Sequence, residues 1–97
     1  MLPVIFLAEA EAELEDAQAW YAQRAPGLGQ AFVTHVQAAV ERIRREPHRF
    51  PTVDRDVRRA LVRRFPYGVF YLVEPERVVV ISVFHSSRDP KRWTSRM

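Results

Sequence analysis

The chain has 97 residues, no cysteine, 47% hydrophobic and 28% charged residues, and a formal net charge of +3. This length and composition are typical of one globular domain, residues 1–97, and they exclude a disordered or fibrous chain. The absence of cysteine excludes a disulfide framework and thiolate chemistry. The apolar runs fall far short of the roughly 20 residues that span a bilayer, so we expect a cytoplasmic protein without membrane association.

The charge is distributed unevenly along the chain. Residues 1–41 hold six acids and one base, a net charge of −5, whereas residues 42–97 hold fourteen bases and six acids, a net charge of +8. Fourteen of the fifteen basic residues are arginines, whose guanidinium groups bind phosphate and carboxylate bidentately. We therefore expect the C-terminal half to bind an anionic partner, a nucleic acid or an acidic protein, unless it is a solvated basic surface.

The chain begins with a strand-like and then a helix-like segment. Residues 2–7 are a short apolar run with β-branched members, which favours a strand. Residues 8–24 are rich in Ala, Glu and Leu and carry an apolar stripe at helical spacing, so we predict a helix. Glu9, Glu11 and Glu13 lie in its first turns, where the helix dipole favours negative charge and where we expect them to be solvated.

A second helix is predicted after a break. Residues 25–29 contain one proline and two glycines, which predict a tight link between antiparallel helices rather than a phosphate-binding loop. Residues 30–46 carry a clean apolar stripe, and Pro47 ends the helix. His35 and His48 are isolated from other metal-ligating residue types, so we predict no metal site and no cofactor.

The remainder of the chain reads as a loop followed by three strands. Residues 47–56 are predicted as a loop because they contain two prolines and alternating charges. Residues 57–65, 67–73 and 78–84 are predicted as strands, and residues 74–77 as a four-residue hairpin connection. The last strand is the most apolar, so we expect it to be central in the sheet.

This order of elements, β-α-α-β-β-β, predicts an α+β domain. A helical hairpin would cover one face of a small antiparallel sheet. Asp89 and Pro90 are suited to start a short helical turn after the last strand. The other face of the sheet, or a groove across it, would remain for a partner.

Several segments in this order are shared with a known family. The first helix carries an Ala/Asp/Leu-rich stripe ending near Trp20 and Tyr21. Residues 65–71 read FPYGVFY, and residues 83–90 read VFHSSRDP, an ending with His, two small residues, Arg and Asp. Over roughly residues 4–93 the chain resembles the RelE/ParE superfamily of toxins from bacterial type II toxin–antitoxin systems.

The resemblance implies a small toxin that a cognate antitoxin neutralises. The C-terminal segment of the antitoxin would fold onto the toxin and bury hydrophobic and basic surface, which suits the basic half of this chain. The residues expected to bind the antitoxin are Trp20, Arg59, Phe84 and Trp93.

The resemblance leaves two activities open. RelE-like members cleave mRNA at the ribosome, whereas ParE-like members poison DNA gyrase and are not enzymes. Cleavage of RNA needs a base, an acid and a cation, and RelE-like toxins carry an arginine three residues before a tyrosine in the third strand. Here that position is Gly68, before Tyr71, so we favour the ParE-like activity.

Each activity has its own expected residues. For a nuclease, the catalytic candidates are His85, Arg64, Arg88 and Tyr71. For binding the target, whether gyrase or the ribosome with its mRNA, the expected residues are Arg59, Arg63, Arg64, His85 and Arg88. A third alternative is an inactive relic that only binds its antitoxin.

Overall fold

A computed structural model describes residues 1–86 of the protein. The predicted helical turn at Asp89 and Pro90, and the candidate residues Arg88 and Trp93, lie outside the described residues. The elements in chain order are β1 (Val4–Phe6), α1 (Ala8–Arg24), α2 (Leu28–Arg45), β2 (Thr52–Asp54), β3 (Val57–Leu61), β4 (Tyr67–Val73) and β5 (Val78–His85).

The strands form one sheet in the order β1-β5-β4-β3-β2. The predicted α+β fold with a helical hairpin on one face is confirmed, and β5 lies inside the sheet as expected. The sheet is mixed rather than purely antiparallel, because β1 pairs in parallel with β5. These two strands are far apart in the chain, so no hairpin connection imposes an antiparallel arrangement on them.

Strand β2 lies within the segment that we predicted as a loop. It has three residues, and a turn with Arg55 at φ 50° joins it to β3. Thr52 pairs with Arg58, and Asp54 pairs with Val57. A strand this short, with a charged residue at its end, shows no alternation that sequence reading can detect.

Glycines set the geometry of the helical hairpin. Gly27 adopts φ 79°, a left-handed conformation that suits glycine, and α2 begins directly after it at Leu28. A Cβ atom on Gly29 would lie 2.7 Å from the backbone oxygen of Gln18 and 3.0 Å from Cβ of Ala22. Gly29 therefore allows the two helices to approach closely, and α2 starts two residues earlier than predicted.

Buried side chains lie on both faces of the sheet. On the helix side, Phe32 and Ile43 of α2 belong to one core with Tyr71 and Val80. A second apolar cluster consists of Val57, Phe70, Val79, Ile81 and Phe84. We call the sheet face that carries this second cluster the outer face.

A break in register between β4 and β5 accompanies this arrangement. Phe70 is opposite Ser82, whereas Tyr71 is opposite Val80, which leaves Ile81 as the extra residue of a β-bulge.

Four aromatic rings join the helices to the loop between β3 and β4. Tyr21 of α1 and Phe32 of α2 have ring centroids 5.1 Å apart. Phe65 lies 4.9 Å from Tyr21 and 5.2 Å from Phe32, and Tyr67 lies 4.9 Å from Phe32. This packing fixes the start of β4 and the preceding turn, which contains the candidate residues Arg63 and Arg64. Among the described residues, no helix is long and apolar enough to cross a membrane.

Candidate functional site

Tyr71 is buried beneath the helices. Its hydroxyl donates a hydrogen bond of 2.6 Å to the carbonyl oxygen of Pro47, and its side chain is fully inaccessible. Burial raises the pKa of Tyr71 to about 12, although the nearby charge of Arg58 acts in the opposite direction. A substrate cannot reach this hydroxyl, so the nuclease role that we considered for Tyr71 is incompatible with its position.

Gly68 lies beneath the side chain of Arg59. The two residues are on adjacent strands, since Arg59 pairs with Phe70 and Leu61 pairs with Gly68. A Cβ atom on Gly68 would lie 3.0 Å from Cγ and 3.1 Å from Cδ of Arg59, and 3.2 Å from Cε1 of Phe70. The aliphatic stem of Arg59 therefore occupies the outer face where a side chain at position 68 would begin. The Nε of Arg59 is buried without a hydrogen-bond partner among residues 1–86.

His85 lies at the end of β5 and faces the helix side. It pairs with Tyr67, and the two ring centroids are 5.6 Å apart. It opens into a cleft of about 550 Å³ between α1 and the end of β5, which we call the β5 cleft. The residues that line the β5 cleft are Glu13, Asp16, Ala17, Trp20, Tyr21, Pro66, Tyr67, Val83, Phe84 and His85.

Glu13 has a structural role that sequence reading missed. Its carboxylate accepts hydrogen bonds from the Ser82 hydroxyl at 2.9 Å and from the Val83 N–H at 3.2 Å. The last backbone hydrogen bond between the β1 segment and β5 runs from the Leu7 N–H to the Val80 carbonyl at 2.9 Å. Beyond the end of β1, the Glu13 carboxylate accepts the hydrogen bonds that the edge of β5 donates. The expectation of a solvated Glu13 was wrong. The serine within the apolar run of β5 was the available signal, because a buried hydroxyl needs a partner.

Trp20 is the most prominent exposed side chain of the β5 cleft. It is 51% exposed, and the guanidinium carbon of Arg24 lies 4.2 Å from its ring centroid. Phe84 lines the same cleft. Two of the residues expected to bind the antitoxin, Trp20 and Phe84, therefore line one cleft. Phe84 also belongs to the apolar cluster of the outer face, where Arg59 lies.

Arg63 and Arg64 lie in the turn after β3, which ends at Leu61 rather than continuing to residue 65 as predicted. Both are exposed, while Val62 and Phe65 on either side of them are buried. Arg64 adopts φ 71°, a conformation that costs a residue with a side chain about 1–2 kcal/mol. Two buried anchors thus hold a strained turn that presents two arginines.

The structure does not gather the basic candidates within residues 1–86 into one site. Arg59 lies on the outer face, His85 opens into the β5 cleft on the helix side, and Arg64 lies in the turn between β3 and β4. Within residues 1–86, no group of three or more His, Asp or Glu side chains is placed to hold a metal ion. The described arrangement offers separate binding surfaces rather than a converged catalytic set.

Comparisons with known proteins agree with this fold. A solved chain titled "Chromosomal ParDE TA system from P. aeruginosa" superposes with a TM-score of 0.78 at 16% sequence identity, covering 88% of this chain and 96% of that chain. At this identity the likeness concerns the fold alone. No curated protein matches the sequence.

The sequence itself carries the family assignment. Residues 4–90 match the family described as the ParE toxin of the type II toxin-antitoxin system parDE. The chain therefore belongs to the ParE toxin family and is a type II toxin. The resemblance to the RelE/ParE superfamily, on its ParE-like side, is confirmed.

Proposed function

We propose that this ParE-family toxin inhibits DNA gyrase and that a cognate antitoxin neutralises it. The observation that carries the first part is the arrangement around Gly68: Arg59 lies across it, and Tyr71 is hydrogen-bonded beneath the helices. An arginine three residues before an accessible tyrosine is what mRNA cleavage by a RelE-like toxin would need. Here position 68 is a glycine, and Tyr71 is buried.

The positions of the remaining basic groups support a binding role. Acid–base cleavage of RNA requires a base, an acid and a cation within hydrogen-bond reach of one phosphate. His85 and Arg59 lie on opposite faces of the sheet. A protein that acts by holding its target needs no such convergence, so inhibition by binding suits this arrangement better than catalysis.

Arg59 and Arg64 are the residues we propose for contacting gyrase. The stem of Arg59 is packed over Gly68 and against Phe70, which fixes where its guanidinium group emerges. For Arg64, the strained turn between buried neighbours fixes the backbone, and the side chain is exposed. A preorganised guanidinium group loses less conformational entropy on binding than a free one.

The β5 cleft is the surface we propose for the antitoxin. It combines an exposed tryptophan with carboxylates of α1 and the imidazole of His85. Tryptophan is enriched among the residues that dominate binding energy in interfaces. The fold relative from a ParDE toxin–antitoxin system supports an antitoxin partner.

Two parallel assays test the target. Purified toxin is added to a gyrase supercoiling reaction and to a coupled translation reaction in which the mRNA is followed. We expect supercoiling to be inhibited and the mRNA to stay intact. We also expect Arg59→Gln to reduce the inhibition about tenfold or more, because a charged hydrogen bond to gyrase is lost. Arg77→Gln removes the same charge from the β4–β5 hairpin, at the opposite end of β4 from the β3–β4 turn, and serves as the matched control.

The same assays separate the alternatives. Cleavage of translated mRNA without any effect on gyrase would assign the RelE-like activity instead. Inactivity in both reactions, with antitoxin binding retained, would identify an inactive relic.

A further inference from the structure

Three arginines converge at the end of α2. Arg42 lies in the last turn of α2, Arg49 in the following loop and Arg63 in the turn after β3. The hydrogen bond from Arg42 to the carbonyl oxygen of Leu61 brings the end of α2 against the turn that carries Arg63, and Arg42 and Arg49 lie at the same ring of Phe50. Burial lowers the pKa of Arg42, and the positive charges of Arg63 and Arg49 lower it further. We call this group the arginine cluster.

The arginine cluster surrounds a half-buried aromatic ring. The guanidinium carbons of Arg42 and Arg49 lie 6.0 Å and 5.9 Å from the ring centroid of Phe50. Arg42 is also held by a hydrogen bond of 3.0 Å from Nη2 to the carbonyl oxygen of Leu61. The cations are thus arranged around an apolar centre by contacts to two different parts of the chain.

The positive charge of the cluster is poorly compensated within residues 1–86. Glu41 is paired with Arg44 at 3.3 Å, and Glu46 reaches Arg49 only at 3.9 Å. No described carboxylate forms an ion pair with Arg42 or Arg63. The Nε of Arg42 is buried and has no hydrogen-bond partner in the described part of the chain. Buried donors and repelling cations of this kind are stabilised when an anion is added from outside.

We propose that the arginine cluster is a docking site for an acidic segment of a partner protein. Carboxylates of that segment would bind Arg42 and Arg63, and an apolar side chain beside them would cover the exposed part of Phe50. The site shares no residue with the β5 cleft and does not include Arg59, and the proposal holds whichever cellular target the toxin has.

Two observations favour a protein segment over a nucleic acid. Non-specific binding of single strands relies on bases that stack on free aromatic rings, and here two guanidinium groups already lie beside the ring of Phe50. The exposed carboxylates of α1, Glu9, Glu11, Glu15 and Asp16, would also repel a long polyanion that extended beyond the cluster. A short acidic segment can occupy the cluster without approaching them.

Fluorescence anisotropy with a short labelled peptide of alternating Glu and Leu tests the site. We expect binding that weakens with added salt, and about tenfold weaker binding by Arg63→Gln, because a hydrogen bond to a charged group is lost. Arg42→Gln should weaken binding similarly. If that variant loses stability along with its hydrogen bond to Leu61, the exposed Arg63 carries the test by itself.

Controls distinguish a site from general charge. Arg77→Gln removes one positive charge at the hairpin, where Arg77 pairs with Glu74 at 2.7 Å, and should leave the peptide affinity unchanged. Equal weakening by Arg63→Gln and Arg77→Gln, or no binding of the peptide, would overturn the proposal.

Two further outcomes would assign the cluster to another occupant and also overturn the proposal. One is binding of single-stranded oligothymidylate, but not of the peptide, that Arg63→Gln abolishes. The other is self-association of the toxin, measured by sedimentation, that the same substitution abolishes while the peptide does not bind.

Discussion

Gly68 illustrates how one residue position carries different information in sequence and in space. In the sequence, it marks the absence of an arginine that a RelE-like nuclease would carry. In the structure, the stem of Arg59 from the neighbouring strand lies over it, within 3.0 Å of where a Cβ atom would be. The arginine side chain on this part of the outer face therefore comes from β3 rather than from position 68 of β4.

Tyr71 provides a prediction about stability. Tyr71→Phe removes the hydrogen bond to the Pro47 carbonyl and leaves that acceptor without its partner. We expect a cost of about 1–3 kcal/mol and a Tm lower by about 5 °C or more. Tyr67→Phe is the control, because the Tyr67 hydroxyl makes no hydrogen bond within residues 1–86, and its Tm should be nearly unchanged.

Tyr71→Phe should also change how the stability of the fold depends on pH. Burial raises the pKa of Tyr71 from 10.0 to about 12. The folded protein therefore holds the phenol proton more tightly than the unfolded chain does. The resulting stabilisation is fully present below pH 10 and is lost as the pH rises toward 12. Denaturant titrations across this range should show a smaller loss of stability in Tyr71→Phe. An identical loss in both proteins would contradict the assignment.

Among the elements, α1 was predicted with its observed bounds, whereas its contact with α2 could not be predicted. Residues 8–24 form α1 with the bounds that composition and periodicity predict. The close approach of α1 and α2 at Gly29 depends on backbone atoms of Gln18, which no local pattern identifies.

Gly29→Ala tests this helix contact. Alanine gains about 1 kcal/mol of helix propensity over glycine, but overpacking a tight contact costs about 1–3 kcal/mol. We expect the overpacking cost to exceed the gain in helix propensity. A Cβ atom at 2.7 Å from the Gln18 carbonyl oxygen meets backbone that cannot move independently of α1. Thermal unfolding should show a lower Tm.

A second substitution refines the interpretation of that result. Ala22→Gly in the Gly29→Ala background removes the contact at 3.0 Å but not the one to Gln18, so it should restore little of the lost stability. A Tm for Gly29→Ala equal to or above that of the parent protein would show that the helices separate without cost.

At the scale of the whole molecule, the distribution of charge follows the order of the sheet. In its contacts with the sheet, helix α1, with most of the acidic residues of the N-terminal half, packs mainly on β5, whereas α2 packs on β3 and β4 and ends in the arginine cluster. The charge asymmetry of the sequence thus becomes a separation across the molecule. Partners of opposite charge are steered to different regions of its surface.

Binding of the antitoxin is the prediction that belongs to this scale. Trp20→Ala removes an exposed ring from the β5 cleft without opening the core, so we expect antitoxin affinity to fall about tenfold or more while the Tm stays the same. Leu61→Ala is the matched control, since Leu61 is exposed to the same 51% but does not line the cleft. Isothermal titration calorimetry with the co-expressed antitoxin measures both variants. Equal affinities for Trp20→Ala and the parent toxin would rule out the cleft as the docking surface.

Local sequence determined the elements whose patterns are strong and continuous. Strand β4 spans Tyr67–Val73, the predicted residues, and β5 extends the predicted strand by one residue to His85. These outcomes follow because side-chain spacing and residue propensity act between near neighbours in the chain. The same local rules missed β2, which is short and is placed by its pairing with β3 and by the packing of Val53 on the outer-face cluster.

Tertiary structure decided which residues act together. The hydrogen bond from Ser82 to Glu13 joins residues 69 positions apart, and the parallel pairing of β1 with β5 joins the first strand to the last. Arg59, Arg64 and His85 lie on different surfaces, because the pleat of each strand and the turn at Arg64 assign each side chain its direction. Composition and periodicity determined that this chain is a small α+β protein with a basic half. Only packing over long sequence separations decided where its anionic partners can bind.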